Sequence, residues 1–443
     1  MKLKSKYTFL LVLAGMCQMP LQAQQTYSLE DCIREALINN VRMKNAANDL
    51  KAAQETRSEA FTRYFPSVSA AGSGFIADKG LLQMSLSPEM EMSMMKNGVI
   101  GGVSATLPLF TGGQLVNGNK LAKTGIEAGR LQLRRSENEV TLTVENYFWQ
   151  VVMLEEKLHT LQTVEEQLAG IAKDAEAAVK AGVSNRNDLL QVQLRRNETK
   201  SGRINLENSL ALARNLLAQY IGHPADSICL SVSLDGSVPE NPESLRTDHQ
   251  ASLPLTPEYG LLQQQVKSGR LQYKMAVGKN LPTIAIGGGY FYENLMDKDH
   301  SFWMGFATVS VPLSGWWGGS HNMKKQKLQW QNAENQLTDQ SERLIIRMEQ
   351  AWNDLNNAYQ QVKIACESIE QATENLRLNT DYYTAGTCTM SDLLEAQTLY
   401  RQSRGQEVVA YYQYDVALIN LLSICGIPEA FQQYRVEGVT EII

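Results

Sequence analysis

Cysteine and histidine are scarce in these 443 residues, with six and five of each. The histidines, at 159, 223, 249, 300 and 321, show no metal-ligand spacing. Beyond Cys17, the cysteines are Cys32, Cys229, Cys366, Cys388 and Cys425. They are scattered and odd in number, which excludes a disulfide framework and a zinc pattern. Basic residues are outnumbered, 41 against 47. A chain without a basic surface is not built for nucleic acid. Past the N-terminus no stretch holds eighteen uncharged apolar residues, so no helix is expected to cross a membrane. No nucleophile–base constellation is present. Gly287-Gly288-Gly289 sits in a strand-like stretch and opens no helix, so it is not a phosphate loop. Neither an enzyme nor a cofactor is expected.

What is present begins with MKLKSKYTFLLVLAGMCQMPLQAQQ. A basic end, a short apolar run and a small residue at 23 have the layout of a secretory signal peptide over 1–23. Its removal moves the formal charge from −6 to −9, with 38 basic and 47 acidic residues left. Cys17 raises a lipoprotein alternative, but Met16 stands before it where that processing wants Gly or Ala.

Residues 179–193, VKAGVSNRNDLLQVQ, are written again at 383–397 as YTAGTCTMSDLLEAQ. The offset of 204 extends further. Leu107-Pro108-Leu109 matches Val311-Pro312-Leu313, Lys120 matches Lys324, Glu145 matches Glu349, and Gly222 matches Gly426. Two copies are too few for a solenoid, so a duplicated domain is the better reading. Both halves carry heptads. Val140, Val144, Tyr147, Val151, Leu154, Leu158 and Leu161 make one run; Leu344, Met348, Ala351, Leu355, Ala358, Val362 and Ala365 open its counterpart. After each repeated turn come Leu206, Leu210, Ala213, Leu217 and Tyr220, then Ala410, Tyr414, Ala417, Leu421 and Ile424. Such seams ask for partner helices, while the remaining faces look polar.

Because 114–181 holds no proline, one helix of about 100 Å can run there. Segments 28–62 and 184–221 are each roughly half as long, and 258–277, 320–384 and 389–424 repeat the scheme. The Ala-Gly turns then become hairpin tips. Gly182 and Gly386 supply left-handed caps, and Asp188 and Asp392 stand near the returning helix starts. Segments 66–76, 99–109, 282–292 and 302–312 alternate with period two and gather aromatics at their ends, as strands crossing an outer membrane do. An ordinary soluble hairpin would read the same way for any one strand. Four strands cannot close a barrel, and an open edge is forbidden in lipid, so copies of the chain would have to pool them.

These features together resemble the outer-membrane efflux protein family, the TolC-like exit ducts. The resemblance rests on four stretches. They are Tyr27-Ser28-Leu29-Glu30-Asp31-Cys32-Ile33-Arg34-Glu35-Ala36-Leu37, then Arg63-Tyr64-Phe65-Pro66-Ser67, then Leu107-Pro108-Leu109-Phe110-Thr111-Gly112-Gly113, and the paired tips. It implies a mainly α chain with a small β part: duplicated long antiparallel helical hairpins, plus four membrane strands per chain in a trimeric twelve-strand β-barrel. It implies a homotrimer in the outer membrane, with its helical part in the periplasm. A periplasmic adaptor (membrane fusion) protein and an inner-membrane transporter would be its partners, along with outer-membrane lipid. The division implied is a first repeat over 24–222, a linker at 223–257 packing at mid-height, a second repeat over 258–426 and a C-terminal segment over 427–443. Adaptor contacts would fall at Gly182, Val183, Ser184, Gly386 and Thr387. Asp392, Glu395 and Asp188 would line the periplasmic aperture. Where some members carry a basic residue that ties the mouth shut, this chain has Cys388, and Gln191 stands where the second half has Glu395. A periplasmic coiled-coil scaffold or adaptor without a pore is the alternative. Five methionines within 81–95 would suit Cu(I), although a mobile apolar loop fits them better.

Overall fold

The computed structural model describes residues 25–79, 82–87, 90–94, 96–224, 228–230, 238–295, 299–313 and 315–426. The expected leader, Cys17 and the C-terminal segment lie outside them.

Strand β1 (Gln25–Tyr27) leads into helices α1 (Leu29–Asn39) and α2 (Val41–Thr62). The sequence pattern reads 28–62 as one helix, and the structure divides it at Asn40. That residue adopts an extended ψ of 134°. Its side-chain oxygen accepts from the Arg42 N–H at 2.8 Å, and its amide donates to the Tyr220 carbonyl at 3.0 Å. A short amide side chain that competes for backbone groups ends one helix and starts the next.

Strand β2 (Ser67–Ile76) is followed by β3 (Leu82–Ser87), β4 (Met90–Met94) and β5 (Asn97–Thr111). The methionine-rich insertion, expected as a loop, has a backbone paired as an antiparallel β3–β4 hairpin. Its side chains, and with them the copper reading, lie outside the described residues. Gly112 and Gly113, at φ 62° and 77°, turn the chain into α3 (Gln114–Lys180), a helix of 67 residues. Helix α4 (Arg186–Ile221) returns, and β6 (Ile228–Leu230) pairs in parallel with β1. The second half runs through α5 (Pro257–Gly278), β7 (Thr283–Leu295), β8 (Asp299–Ser310), the 70-residue α6 (Gly315–Thr384) and α7 (Met390–Ile424). No described helix is long and apolar enough to cross a membrane.

The chain divides into two compact units. One is formed by Asn45–Arg135 and Leu253–Ile345 and holds a four-stranded antiparallel sheet in the order β2-β5-β7-β8. Cross-strand partners share a face, so the register sorts the side chains. Val68, Ala70, Val103, Ala105, Leu107, Ile286, Tyr290, Trp303, Ala307 and Val309 stand on one face. Trp303 packs on Tyr290 at 5.1 Å between ring centroids and is 80% exposed. Ser67, Ser69, Ser104, Thr106, Glu293, Thr308 and Ser310 share the other face with glycines and Phe291, Phe302 and Phe306. Among the described residues β2 and β8 are edges without a further strand.

The other unit draws on the described residues of Met1–Lys44, Ser136–Ser252 and Ile346–Ile443. Its core is the pair of heptad seams. Val140, Val144 and Val151 of the α3 heptad are fully buried, while the expected Tyr147 is half-buried and its neighbour Phe148 takes the core position. Leu210, Ala213 and Leu217 of α4 are buried. Met348, Leu355 and Val362 of α6 pack with Ala410, Tyr414 and Leu421 of α7. Burying a side chain of this size gives about 1.5–3 kcal/mol, which is what holds long polar-surfaced helices together. Ion pairs at 2.8 Å (Arg203–Glu165) and 2.6 Å (Arg214–Glu155) join α4 to α3. The segment after β6 lies on α6: Leu245 packs on its core, Arg246 lies over the Trp352 ring, and His249 meets Glu349 at 3.0 Å.

Candidate functional site

The candidate site is the pair of hairpin tips. In the first, the Gly182 N–H donates to the Val179 carbonyl, and Val183 and Ser184 donate to the Ala178 carbonyl. In the second, Gly386 donates to Tyr383 and Thr387 to Tyr382. Gly182 sits at φ 72° and Gly386 at φ 71°. A side chain at either would meet open space, so the positive φ alone calls for glycine.

The returning helices start differently. Asn185 caps α4 by accepting the Asp188 N–H at 3.0 Å. The half-buried Asp188 carboxylate takes the Ser184 hydroxyl at 2.7 Å. Thr389 caps α7 in a closed capping box. The Asp392 carboxylate accepts from the Thr389 N–H at 2.8 Å and from its hydroxyl at 2.6 Å. Those bonds, the hydroxyl's first and the N–H's second, hold the Asp392 carboxyl below its ordinary range. Asp392 and Glu395 are both exposed on α7. They lie three residues apart and therefore on one face. The Cys388 thiol points back into its own tip, 3.4 Å from the Asn379 carbonyl. Burial, and next the Asp392 charge, push its pKa up, so it stays a thiol.

The two tips pack on each other. Val164, Leu168, Ala172, Ala175 and Val192 from the first half share a core with Met390, Leu393 and Leu394 from the second. Gln397 donates to Gln167 at 2.8 Å, and Ser391 to Gln191 at 3.1 Å. A groove of about 430 Å³ between α4 and α7 is lined by residues that include Gln191, Arg195, Glu198 and Glu395. The structure thus brings Glu395 beside first-half residues and keeps Asp392 within its own cap. Asp188 is bonded within its own tip but lies near Tyr383 of the second hairpin, whose pKa is raised by burial and next by the Asp188 charge. Asn185 and Thr389, the caps themselves, escaped the sequence reading. The signal for Thr389 was available as Thr-x-x-Asp, a close variant of the capping box.

A family model described as Outer membrane efflux protein matches residues 32–223 and 260–427. The chain belongs to that family. This efflux protein is 25% identical over 132 residues to the alkaline protease secretion protein AprF of Pseudomonas aeruginosa. That match covers 30% of this chain and 27% of AprF, so it spans about a quarter of the relative's length. Solved structures share the fold, three of them as follows. The outer membrane protein VceC of Vibrio cholerae matches with a TM-score of 0.76 at 15% identity, over 90% of this chain and 96% of its own. CusC matches at 0.79 and 16%, over 90% and 92%. The MtrE outer membrane channel of Neisseria gonorrhoeae, in its open state, matches at 0.74 and 17%, over 90% and 88%. The chain is therefore a protein of the outer membrane and not an enzyme, mainly helical with a small four-stranded antiparallel sheet.

Proposed function

We propose that the protein is the outer-membrane channel of a tripartite export system. It conducts small molecules or other cargo from an inner-membrane pump through a periplasmic adaptor to the outside. The observation that carries this is the four-stranded sheet, with two edges that no described strand pairs and one largely apolar face on which Tyr290 and Trp303 stack. Unpaired edges cannot stand in lipid, and three copies supply twelve strands, an even number that closes. Within that trimer, 24–222 and 258–426 are the two duct repeats, joined by 223–257.

The tips are the adaptor's landing point, at Gly182, Val183, Ser184, Gly386 and Thr387. Asp392, Glu395 and Asp188 set the charge of the periplasmic aperture. Carboxylates repeated around a threefold opening favour cations. Reconstitution of the purified protein into planar bilayers tests the pore. Discrete conductance steps are expected, with cation preference reduced in Asp392→Asn and Glu395→Gln. Absence of any conductance, with the protein recovered from the soluble periplasm, would instead fit a coiled-coil scaffold. Photo-crosslinkers placed at Val183 and Thr387, which spare the glycines' positive φ, test the adaptor contact. Recovery of no periplasmic partner would contradict it.

A further inference from the structure

Helices α3, α4, α6 and α7 line a cavity of about 920 Å³, well away from the tips. Lys157, on its wall, is ~38 Å along α3 from Gly182 at 1.5 Å per residue. Leu161, Leu206, Ile364 and Val409 give it an apolar floor. Two helical glycines, Gly202 and Gly405, hold it open. A Cβ at Gly405 would meet nothing within 4 Å, and one at Gly202 would make an ordinary 3.7 Å contact with Leu161. Neither glycine is required by its neighbours, although each is a poorer helix former than alanine.

The charges in this cavity are of one sign. Lys157 and Arg401 line it, and no aspartate or glutamate does. Both are half-buried, and neither forms an ion pair among the described residues. Burial alone lowers the pKa of the Lys157 ammonium, with no carboxylate acting against it. In a chain of formal charge −6, two unpaired cations over an apolar floor need an explanation. A half-buried charge without a partner is costly, and an anionic group with charge-assisted hydrogen bonds would relieve that cost. The volume lies within the ordinary range for small-molecule sites.

We propose that this cavity binds an amphipathic organic anion, its carboxylate or sulfonate held by Lys157 and Arg401 and its apolar body filling the space beside Gly202 and Gly405. The inference stands apart from the channel reading, because binding is measured on purified protein with no transport step. The full-length protein in a nonionic detergent is titrated calorimetrically with naphthalene-2-sulfonate. The uncharged isostere naphthalene-2-sulfonamide serves as the control, and empty micelles as the blank. The sulfonate is expected to saturate at one site per chain and bind at least tenfold more tightly than the sulfonamide. The double variant Lys157→Gln with Arg401→Gln removes that preference. Gly405→Leu, which fills the space while improving helix propensity, abolishes binding with the circular dichroism and oligomeric mass unchanged. Equal affinity for the two compounds, no saturable binding, or a sulfonate preference that survives the double variant would overturn the proposal. So would break-up of the oligomer by Gly405→Leu, since a second copy would then occupy the space.

Discussion

Helices α4 and α7 are one element written twice, and their surroundings differ. Leu190 is 47% exposed, while its counterpart 204 residues on, Leu394, is 6% exposed. Ile204 is exposed where Val408 is buried, and Leu212 is exposed where Val416 is half-buried. Helix α7 is covered by α6 over its C-terminal half and by α3 at the tip. Helix α4 packs its heptad seam on α3 and leaves Leu190, Leu194, Ile204, Leu212 and Leu216 outside. At 100° per residue these five fall within one face. The repeated Asp-Leu-Leu motif therefore encodes a helix start and a register. Which leucine is buried depends on the neighbours the fold supplies. An unpartnered apolar stripe of this length marks an interaction surface, and in the proposed trimer a sister chain covers it.

Breaking the comparison at its strongest point gives the largest effect. Leu394→Ala removes part of the inter-tip core and is expected to cost about 2–5 kcal/mol in the folded chain. Leu190→Asp is expected to leave the chain's helical circular dichroism intact and to weaken assembly. Denaturant titrations of both variants at two protein concentrations separate the cases, because only the Leu190 effect is concentration-dependent.

A second difference is Asp415 in α7, which matches Ala211 in α4. Burial raises the half-buried Asp415 carboxyl from 3.8 to about 7. The folded chain then keeps a proton that the unfolded chain releases between about pH 4 and 7. Asp415 makes stability fall as pH rises through that window and level off above it. Asp415→Asn is expected to remove the slope and add about 1–2 kcal/mol at pH 8, allowing for screening of a half-buried group. Denaturation of the variant and parent at pH 4 and pH 8 checks this, and an equal gain at both would contradict it.

Smaller effects probe what the two tips share. Gly182→Ala and Gly386→Ala should each cost about 1 kcal/mol, because both positions hold a positive φ and both are open. Unequal costs would show that the tips are not the same turn. Smallest are the caps. Asn185→Ala removes one cap bond and Thr389→Ala removes two, so about 0.5–1 kcal/mol is expected, with Thr389 the larger. Hydrogen exchange at the first-turn amides of α4 and α7 reads the difference.

Much of this architecture was legible in the sequence because its signals are periodic. The heptads from Val140 and from Leu344 placed the seams, the 204-residue offset paired the tips, and period-two alternation placed β2, β5, β7 and β8. What escaped depends on single contacts or on distant neighbours. The α1–α2 break rests on one asparagine side chain reaching Tyr220. The parallel β1–β6 pair joins three-residue strands about 200 residues apart. The leucine stripe of α4 lies off the heptad, where the pattern predicted a polar face. At the tips, the glycines and Asp392 were readable from spacing. The approach of Glu395 to Gln191 and Arg195 follows from how the two hairpins pack, which no local pattern encodes.

The central claim is that the sheet of one chain is incomplete until sister chains close it. Native mass spectrometry of the full-length protein extracted in mild detergent tests this most directly. Particles of three chains that fall apart or aggregate when detergent is withdrawn are predicted. A folded single chain that stays in solution without detergent would contradict the account.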